Sequence, residues 1–284
     1  MARDFVLNVI GRDCVRVASG GDITWLKRGF AFDQPFEGEP SAALQKAREA
    51  AAYAPLDINI VAVAHRRKKL LVADMDSTII GCECLDEIAD MMDLKPQVSA
   101  ITERAMRGEI EFAPALRERV ALLKGLPVHR LARVYGERVR FNPGARALIA
   151  TMKANGARAV LVSGGFTYFT SRVAADAGFD EDRGNVLLED GGRLTGEVQE
   201  PILGREAKLQ ALEETVAKMN IDFADVLAAG DGANDLDMIG RSGLGVAYHA
   251  KPVVAVQAAA RIDHNDLTAL LYLQGYREEE FARN

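Results

Sequence analysis

Short, continuous apolar runs separated by amphipathic stretches dominate the chain from Leu70 onward. LLVA at 70–73, AVLV at 159–162, VLAA at 226–229 and LGVAY at 244–248 do not alternate with polar residues, which is the pattern of strands buried on both faces. The segments between them repeat apolar positions at helical spacing, so the chain reads as α/β, with a parallel sheet flanked by crossover helices. Residues 84–140 have helical periodicity and little strand character, and they are too long for a single crossover, which predicts an inserted helical cap. VLLEDGGRLTGEV at 186–198 sets Asp190, Gly191 and Gly192 between two strand-like runs, a hairpin signal.

The first 66 residues have a different pattern. An alternating segment at Phe5–Ile10, a polar stretch with Gly20 and Gly21, a helix over Ser41–Ala54 and a strand at Ile58–Val63 predict a small α+β N-terminal domain. The basic run His65, Arg66, Arg67, Lys68 and Lys69 reads as the junction to a second domain over 67–284. A solvated linker face is the preferred role for that run, ahead of nucleic-acid binding.

Candidate chemistry gathers where the apolar runs end. In LLVADMDSTII the first run delivers Asp74 and Asp76, and residues two apart on an extended segment point the same way. At the carboxyl end of a parallel strand, one carboxylate can coordinate a metal and attack phosphorus while the other exchanges a proton. An ordinary strand-ending turn is the competing reading, because Asp, Ser and Thr all bond local backbone. An EF-hand is excluded: counting from Asp74, the fifth position is Thr78, and the sixth is Ile79 where glycine is required. The second run leads into Ser163, Gly164 and Gly165, and the third into Gly230, Asp231, Gly232, Ala233, Asn234 and Asp235. A hydroxyl followed by glycines lets backbone N–H groups approach phosphate oxygens, and an acid-rich loop supplies oxygen ligands for Mg2+. Each loop alone is weak; three at successive strand ends point to one site.

Three further residues stand out against their local pattern. Lys208 lies near the start of a helix over Arg205–Met219, the wrong end of the dipole for a cation. Arg119 falls within the apolar face formed by Phe112, Leu116, Val120 and Leu123, and a buried guanidinium requires an anion, either an internal partner or a ligand. Glu83 precedes a helix with the stripe Leu85, Ile88, Met92, which suits either a dipole-favoured acid or a ligand contact.

Composition narrows the partners. A net charge of -6 and a pI near 5.4 argue against a general nucleic-acid surface, which needs a basic patch. Small anions must therefore be met locally. Cys14, Cys82 and Cys84 form no CxxC pair and have no histidines at zinc-ligand spacing, so they read as reduced thiols. No signal peptide and no apolar run approaching the roughly 20 residues of a membrane span are evident, so a cytoplasmic location with no membrane partner is expected. His65, His129, His249 and His264 share no recognisable spacing.

The ordered set DMDST, SGG, Lys208 and GDGAND resembles the haloacid dehalogenase-like superfamily of aspartate-nucleophile phosphatases over nearly all of residues 70–250. The cap segment ITERAMRGEIEFAPALRERVALLKG at 101–125 is similar to that of phosphoserine phosphatases. The resemblance implies a Rossmann-like parallel sheet and hydrolysis of O-phospho-L-serine through an aspartyl-phosphate, the last step of serine biosynthesis. It further implies Asp74 as nucleophile and Asp76 as general acid and then base. Mg2+ would be bound by the Asp74 carboxylate, the Asp76 backbone carbonyl and Asp231, with Asp235 steadying the water shell and Asn234 near the phosphate or metal. Ser163, the Gly164 N–H and Lys208 would hold the phosphoryl oxygens. Glu83 would face the substrate ammonium and Arg119 its carboxylate, with Met106 and Phe112 shielding the site. Three alternatives stay open: a related enzyme for another small phosphomonoester such as phosphohomoserine, a signalling receiver, and a silent amino-acid-binding protein. Asp76 argues against the receiver, which needs a lasting phosphate rather than a built-in hydrolytic acid. For residues 1–66 the resemblance implies a regulatory domain of the ACT type, here small or degenerate, with a homodimer as its candidate role.

Overall fold

The computed structural model describes residues 4–18, 22–106 and 109–282. Gly20 and Gly21, read above as part of a polar stretch, lie outside them. The chain opens with β1 (Phe5–Ile10), β2 (Thr24–Lys27), β3 (Ala31–Gln34), α1 (Pro40–Ala51) and β4 (Asp57–Ala62). These strands form an antiparallel sheet of order β2-β3-β1-β4. The chain continues through β5 (Leu70–Ala73), α2 (Cys84–Met91), α3 (Lys95–Met106), α4 (Phe112–Ala121), α5 (His129–Arg138) and α6 (Ala145–Ala154). There follow β6 (Arg158–Phe166), α7 (Thr167–Ala177), β7 (Glu181–Asn185), β8 (Leu187–Asp190), β9 (Arg193–Val198) and α8 (Arg205–Met219). The last elements are β10 (Val226–Gly230), α9 (Leu236–Arg241), β11 (Leu244–Tyr248), α10 (Pro252–Ala255), β12 (Ala260–Ile262) and α11 (Ala269–Leu273).

The four apolar runs all become strands of one parallel, six-stranded sheet of order β12-β11-β10-β5-β6-β7. Their continuity follows from burial on both faces. Leu70 and Val72 pack with Ala211, Leu212 and Val216 of α8, while Leu71 and Ala73 pack with Leu148 and Ile149 of α6. Each such leucine contributes about 1.5–3 kcal/mol relative to exposure. Two edge strands escaped the sequence pattern: β7, reading EDRGN, and the three-residue β12. Edge strands need no continuous apolar run, so a polar or very short one leaves little trace.

Several boundaries differ from expectation. The helix expected over Ser41–Ala54 ends at Ala51, because Ala52 takes φ +50° and breaks the α repeat. The strand expected at Ile58–Val63 runs from Asp57 to Ala62. β1 has apolar residues toward both sides: Leu7 and Val9 pack with Ala47 and Ala51 of α1, whereas Ile10 joins the core that holds Tyr272 of α11. Asn8 is fully buried between these layers and donates to Asp33 Oδ1 at 2.8 Å and to the Tyr272 carbonyl at 3.2 Å.

The basic run is solvated only in part: His65, Arg67 and Lys69 stay exposed, whereas Arg66 and Lys68 are drawn into the protein. Arg66 makes a bidentate pair with Asp33 at 2.6 and 2.7 Å and also donates to the Leu273 carbonyl. Arg67 pairs with Glu280, and His65 and Lys69 both reach Asp225. Lys68 is 7% exposed and donates to the Ala224 carbonyl at 2.7 Å; burial pulls its ammonium down to about 8 although Asp225 works the other way. These partners are remote in sequence, which is why a local charge count does not reveal them.

Between β5 and α6 lie the four helices α2–α5. The β8–β9 hairpin braces them: Gly125 and Val128 donate to the Leu194 and Gly192 carbonyls at 2.8 and 3.0 Å. Its turn needs two glycines, because Gly191 and Gly192 have φ +55° and +75°. No helix of the described residues is long and apolar enough to cross a membrane.

Candidate active site

Asp74 is the first residue beyond β5, and its N–H donates to the Ala229 carbonyl of β10 at 3.0 Å, which ties it to the centre of the sheet. The chain then turns sharply: Ser77 adopts φ +58°, ψ -5°, a conformation uncommon for a residue with a Cβ. That turn folds Asp76 back toward the next strand end. Asp76 Oδ1 accepts the Cys84 N–H at 2.9 Å, and Oδ2 accepts the Ser163 hydroxyl at 3.2 Å. The Ser163 oxygen in turn accepts the Gly165 N–H at 2.8 Å. A Cβ at Gly165 would stand 2.9 Å from Asp76 Oδ2, so only glycine permits this approach.

The third strand end closes the floor. Lys208 Nζ bridges Asp74 Oδ1 at 2.7 Å and Asp235 Oδ1 at 2.6 Å, with all three side chains buried. Asp235 Oδ2 accepts the backbone N–H groups of Asp231 and Gly232 at 3.2 and 3.0 Å. Both oxygens of Asp235 are therefore committed, one to the lysine and one to the loop that carries Asp231. Asp74 Oδ1 also accepts the Met75 N–H at 2.8 Å, which leaves Asp74 Oδ2 and the Asp231 carboxylate with no protein hydrogen bond among the described residues.

Acids outnumber cations on this floor, and their proton affinities reflect it. Burial, reinforced by Asp235, holds the Asp74 carboxyl well above the ordinary range, with Lys208 acting in the opposite direction. Burial and then Glu83 push Asp76 up to about 7, and burial with Asp235 and Glu83 raises Asp231 to about 6. Burial disfavours the Lys208 ammonium, but Asp235 and Asp74 outweigh it and hold it above its usual value. One carboxylate oxygen each of Asp74, Asp231 and Asp235 lies within 4.8 Å of the others. An all-oxygen set with excess negative charge fits a hard divalent cation.

Above the floor is a cleft of about 370 Å³ whose other wall comes from α2, α3 and α4. Glu83 lies at its mouth and accepts the Ser77 hydroxyl at 2.7 Å. Arg119 is half-buried and donates through Nε only to the Ala115 carbonyl of its own helix, at 3.2 Å. Burial lowers its proton affinity while Asp86 and Glu83 act against the shift. Phe112 is 38% exposed rather than part of the α4 core face, and its ring lies so near Gly164 that a Cβ there would meet it at 3.1 Å. Gly164 and Asn234 line the same cleft.

The structure thus brings Asp74, Asp76, Glu83, Phe112, Arg119, Ser163, Gly164, Asp231 and Asn234 to one cleft. Asp235 and Lys208 lie beneath its floor, and the Met106 side chain lies outside the described residues. Sequence reasoning assigned no role to Ser77, Asp86 or Lys251, which also line the cleft. Lys251 follows the carboxyl end of the fourth run, LGVAY, the same position that marked the other loops, and its N–H donates to the Asp231 carbonyl at 3.0 Å. Asp86 follows Glu83 by three residues, one helical turn along the same face.

A family model described as haloacid dehalogenase-like hydrolase matches residues 71–240. A phosphoserine phosphatase from Polaromonas sp. is 50% identical over 210 residues, covering 72% of this chain and 89% of its own. A solved phospho-aspartyl intermediate analogue of phosphoserine phosphatase is 36% identical with a TM-score of 0.67, covering 72% of this chain and 98% of its own. A haloacid dehalogenase family hydrolase from Salmonella enterica extends the likeness to the antiparallel sheet, with a TM-score of 0.86, 28% identity, and coverage of 97% of this chain and 99% of its own.

Proposed function

The chain belongs to the haloacid dehalogenase-like hydrolase family, and we propose that it hydrolyses O-phospho-L-serine to L-serine and phosphate. The observation that carries this reading is the pairing of Glu83 and Arg119 across one cleft from Asp74. A carboxylate suits an ammonium and a planar guanidinium suits a carboxylate, so the two specify an amino acid attached to the phosphate. A sugar phosphate has no use for either charge.

With Asp74 Oδ1 held by Lys208 and the Met75 N–H, Oδ2 attacks phosphorus and forms the aspartyl-phosphate. Asp76 donates its proton to the departing seryl oxygen, and its carboxyl raised to about 7 supports that duty near neutral pH. Serine leaves; Asp76, now ionised, takes a proton from the water that attacks the aspartyl-phosphate, and phosphate is released. Ser163 and the Gly164 N–H hold phosphoryl oxygens, with Asn234 beside them. Lys208 acts mainly through Asp74, because it lies under the floor. Asp74, the Asp76 backbone carbonyl and Asp231 would hold Mg2+, which when bound would offset charge on the phosphoryl group. Asp235 orients the Asp231 loop through its two backbone bonds. Phe112 covers the site from the cap side.

Residues 67–284 form the catalytic domain, with its cap at about 84–140, and residues 1–66 a separate small domain. The strand order 2-3-1-4, with α1 before β4 and a single 3-10 turn at Cys14–Val17 after β1, supports a ferredoxin-like βαββαβ unit whose first helix has shrunk. That suits a degenerate ACT-like module and a homodimer. Three cysteines without disulfides support a cytoplasmic location. Phosphate release from L-phosphoserine, with Mg2+ and with chelator, tests the reading; preferred turnover of sugar phosphates or Mg2+-independent turnover sinks it.

A further inference from the structure

On the side of the molecule where the two sheets meet, a second cavity of about 180 Å³ lies between α1 and the edge strand β12. Its lining joins Arg48 from the last turn of α1 with Arg261, Asp263 and His264 from β12 and the loop after it. The floor is a polar seam whose acceptor oxygens are spent on N–H groups. Asn59 pairs with the Arg261 backbone in both directions, at 3.0 and 2.9 Å. Asp57 Oδ1 accepts the Asp263 and His264 N–H groups at 2.7 and 3.1 Å, and Oδ2 accepts the Asn265 N–H and Nδ2 at 3.0 and 2.8 Å. All four of its lone-pair directions are taken.

The two guanidiniums of the lining are unequally paired. Asp263 is committed to Arg261, whose Nε lies 3.0 Å from Oδ2. Arg48 makes no hydrogen bond and no ion pair among the described residues. Burial lowers its proton affinity, and the neighbouring Arg261 lowers it further, with Asp263 only partly offsetting them. The cavity's two carboxylates, Asp57 and Asp263, are thus engaged by neutral N–H groups and by Arg261, which leaves the Arg48 guanidinium facing the cavity without a direct partner among the described residues.

We propose that this cavity is a binding site for a small oxyanion, a phosphate or a short carboxylate, held by Arg48 on one sheet's helix and Arg261 on the other sheet's edge. Planar guanidiniums bind both ligand types through paired N–H···O bonds. The volume is below the roughly 300–1,000 Å³ of pockets for drug-sized ligands, so the occupant is small. Because the two arginines come from opposite sides of the seam, the bound anion clamps the antiparallel sheet to the parallel one.

The test is the thermal midpoint of the full chain with Mg2+ in phosphate, malonate or chloride at matched ionic strength, for the wild type, Arg48→Glu and Arg261→Gln. Phosphate binding in the catalytic cleft contributes equally to all three. At ten times its dissociation constant, the seam ligand raises the wild-type midpoint by about 3 °C beyond the rise in either variant. Turnover of L-phosphoserine by Arg48→Glu in phosphate-free buffer stays at the wild-type level. A phosphate-only difference assigns the site to phosphate, and a malonate difference assigns it to carboxylates. Equal rises in wild type and Arg48→Glu for both anions, or the same rise in chloride, overturn the proposal.

Discussion

The floor and the cap of the cleft hold their charges in opposite ways. On the floor, Asp74, Asp76, Asp235 and Lys208 are each at most 9% exposed, and every one is fixed by hydrogen bonds or ion pairs that converge from different strand ends. On the cap, Glu83 is exposed and has one hydroxyl partner, while Arg119 bonds only its own helix. The difference teaches where rigidity is needed. Attack and proton transfer require groups held within fractions of an ångström, whereas under the proposed mechanism Glu83 and Arg119 would gain their full partners only on binding substrate.

If the floor is the reacting part, its loss should be the most severe. Asp74→Asn keeps the shape and removes the nucleophile, so turnover of L-phosphoserine should fall by about 10⁴-fold or more. Turnover within tenfold of wild type would place the nucleophile elsewhere. The same contrast has a stability version. Lys208→Met leaves Asp74 and Asp235 buried without their cation, which costs about 3–5 kcal/mol, and a thermal melt should fall by roughly 6–20 °C. A shift below about 2 °C would mean that the floor tolerates an unpaired acid cluster.

Removing the metal should expose the floor's charge imbalance as a pH slope. Asp76 at about 7 and Asp231 at about 6 bind protons more tightly folded than at their ordinary value of 3.8. The stability they contribute is full below pH 3.8 and is lost as pH rises through 6 and 7, because the folded state then must bury unpaired carboxylates. In chelator, the melting midpoint should therefore decline from pH 5 to 7.5 by a few degrees, and saturating Mg2+ should flatten it. A midpoint that climbs over that range without metal contradicts the assignment.

The floor was also the more legible region, for the same physical reason. Strands buried on both faces announce themselves as apolar runs, and the residues just beyond them, Asp74, Ser163 and Asp231, are placed by that burial alone. Lys208 was visible as a cation at the wrong end of a helix. What stayed hidden depends on contacts between remote segments. The partners of His65 to Lys69 include Asp33, Asp225 and Glu280, and no local pattern links them. Asp86 and Lys251 drew no reading from the sequence, and both line the cleft once the chain is folded. The edge strand β7 lacked the burial that makes a strand recognisable, and β12, though Ala260 and Ile262 are buried, was too short to show a pattern.

On the cap, substitution should change recognition and spare chemistry. Arg119→Ala removes a charged contact worth about 1.5–3 kcal/mol, so KM for L-phosphoserine should rise about 10- to 100-fold with kcat and the melting midpoint little changed. Hydrolysis of a phosphate ester without a carboxylate should be unaffected. Equal losses on both esters would make Arg119 part of the reacting floor and erase the distinction between the two regions.

The smallest effect tests where floor and cap touch. Ser77 belongs to the Asp74–Asp76 turn, yet its hydroxyl donates to Glu83 Oε1 at 2.7 Å, so it is a hydrogen bond that carries orientation from the floor to the cap. Ser77→Ala keeps the Cβ and hence the cost of the positive φ, and it deletes one hydrogen bond to an exposed carboxylate, worth about 1 kcal/mol. If Glu83 meets the substrate ammonium, the variant should raise KM for L-phosphoserine about fivefold and leave kcat and the ester without an amino group alone. A loss in kcat instead would mean that the hydroxyl supports the turn that aims Asp76, because only the floor's geometry enters the chemical step.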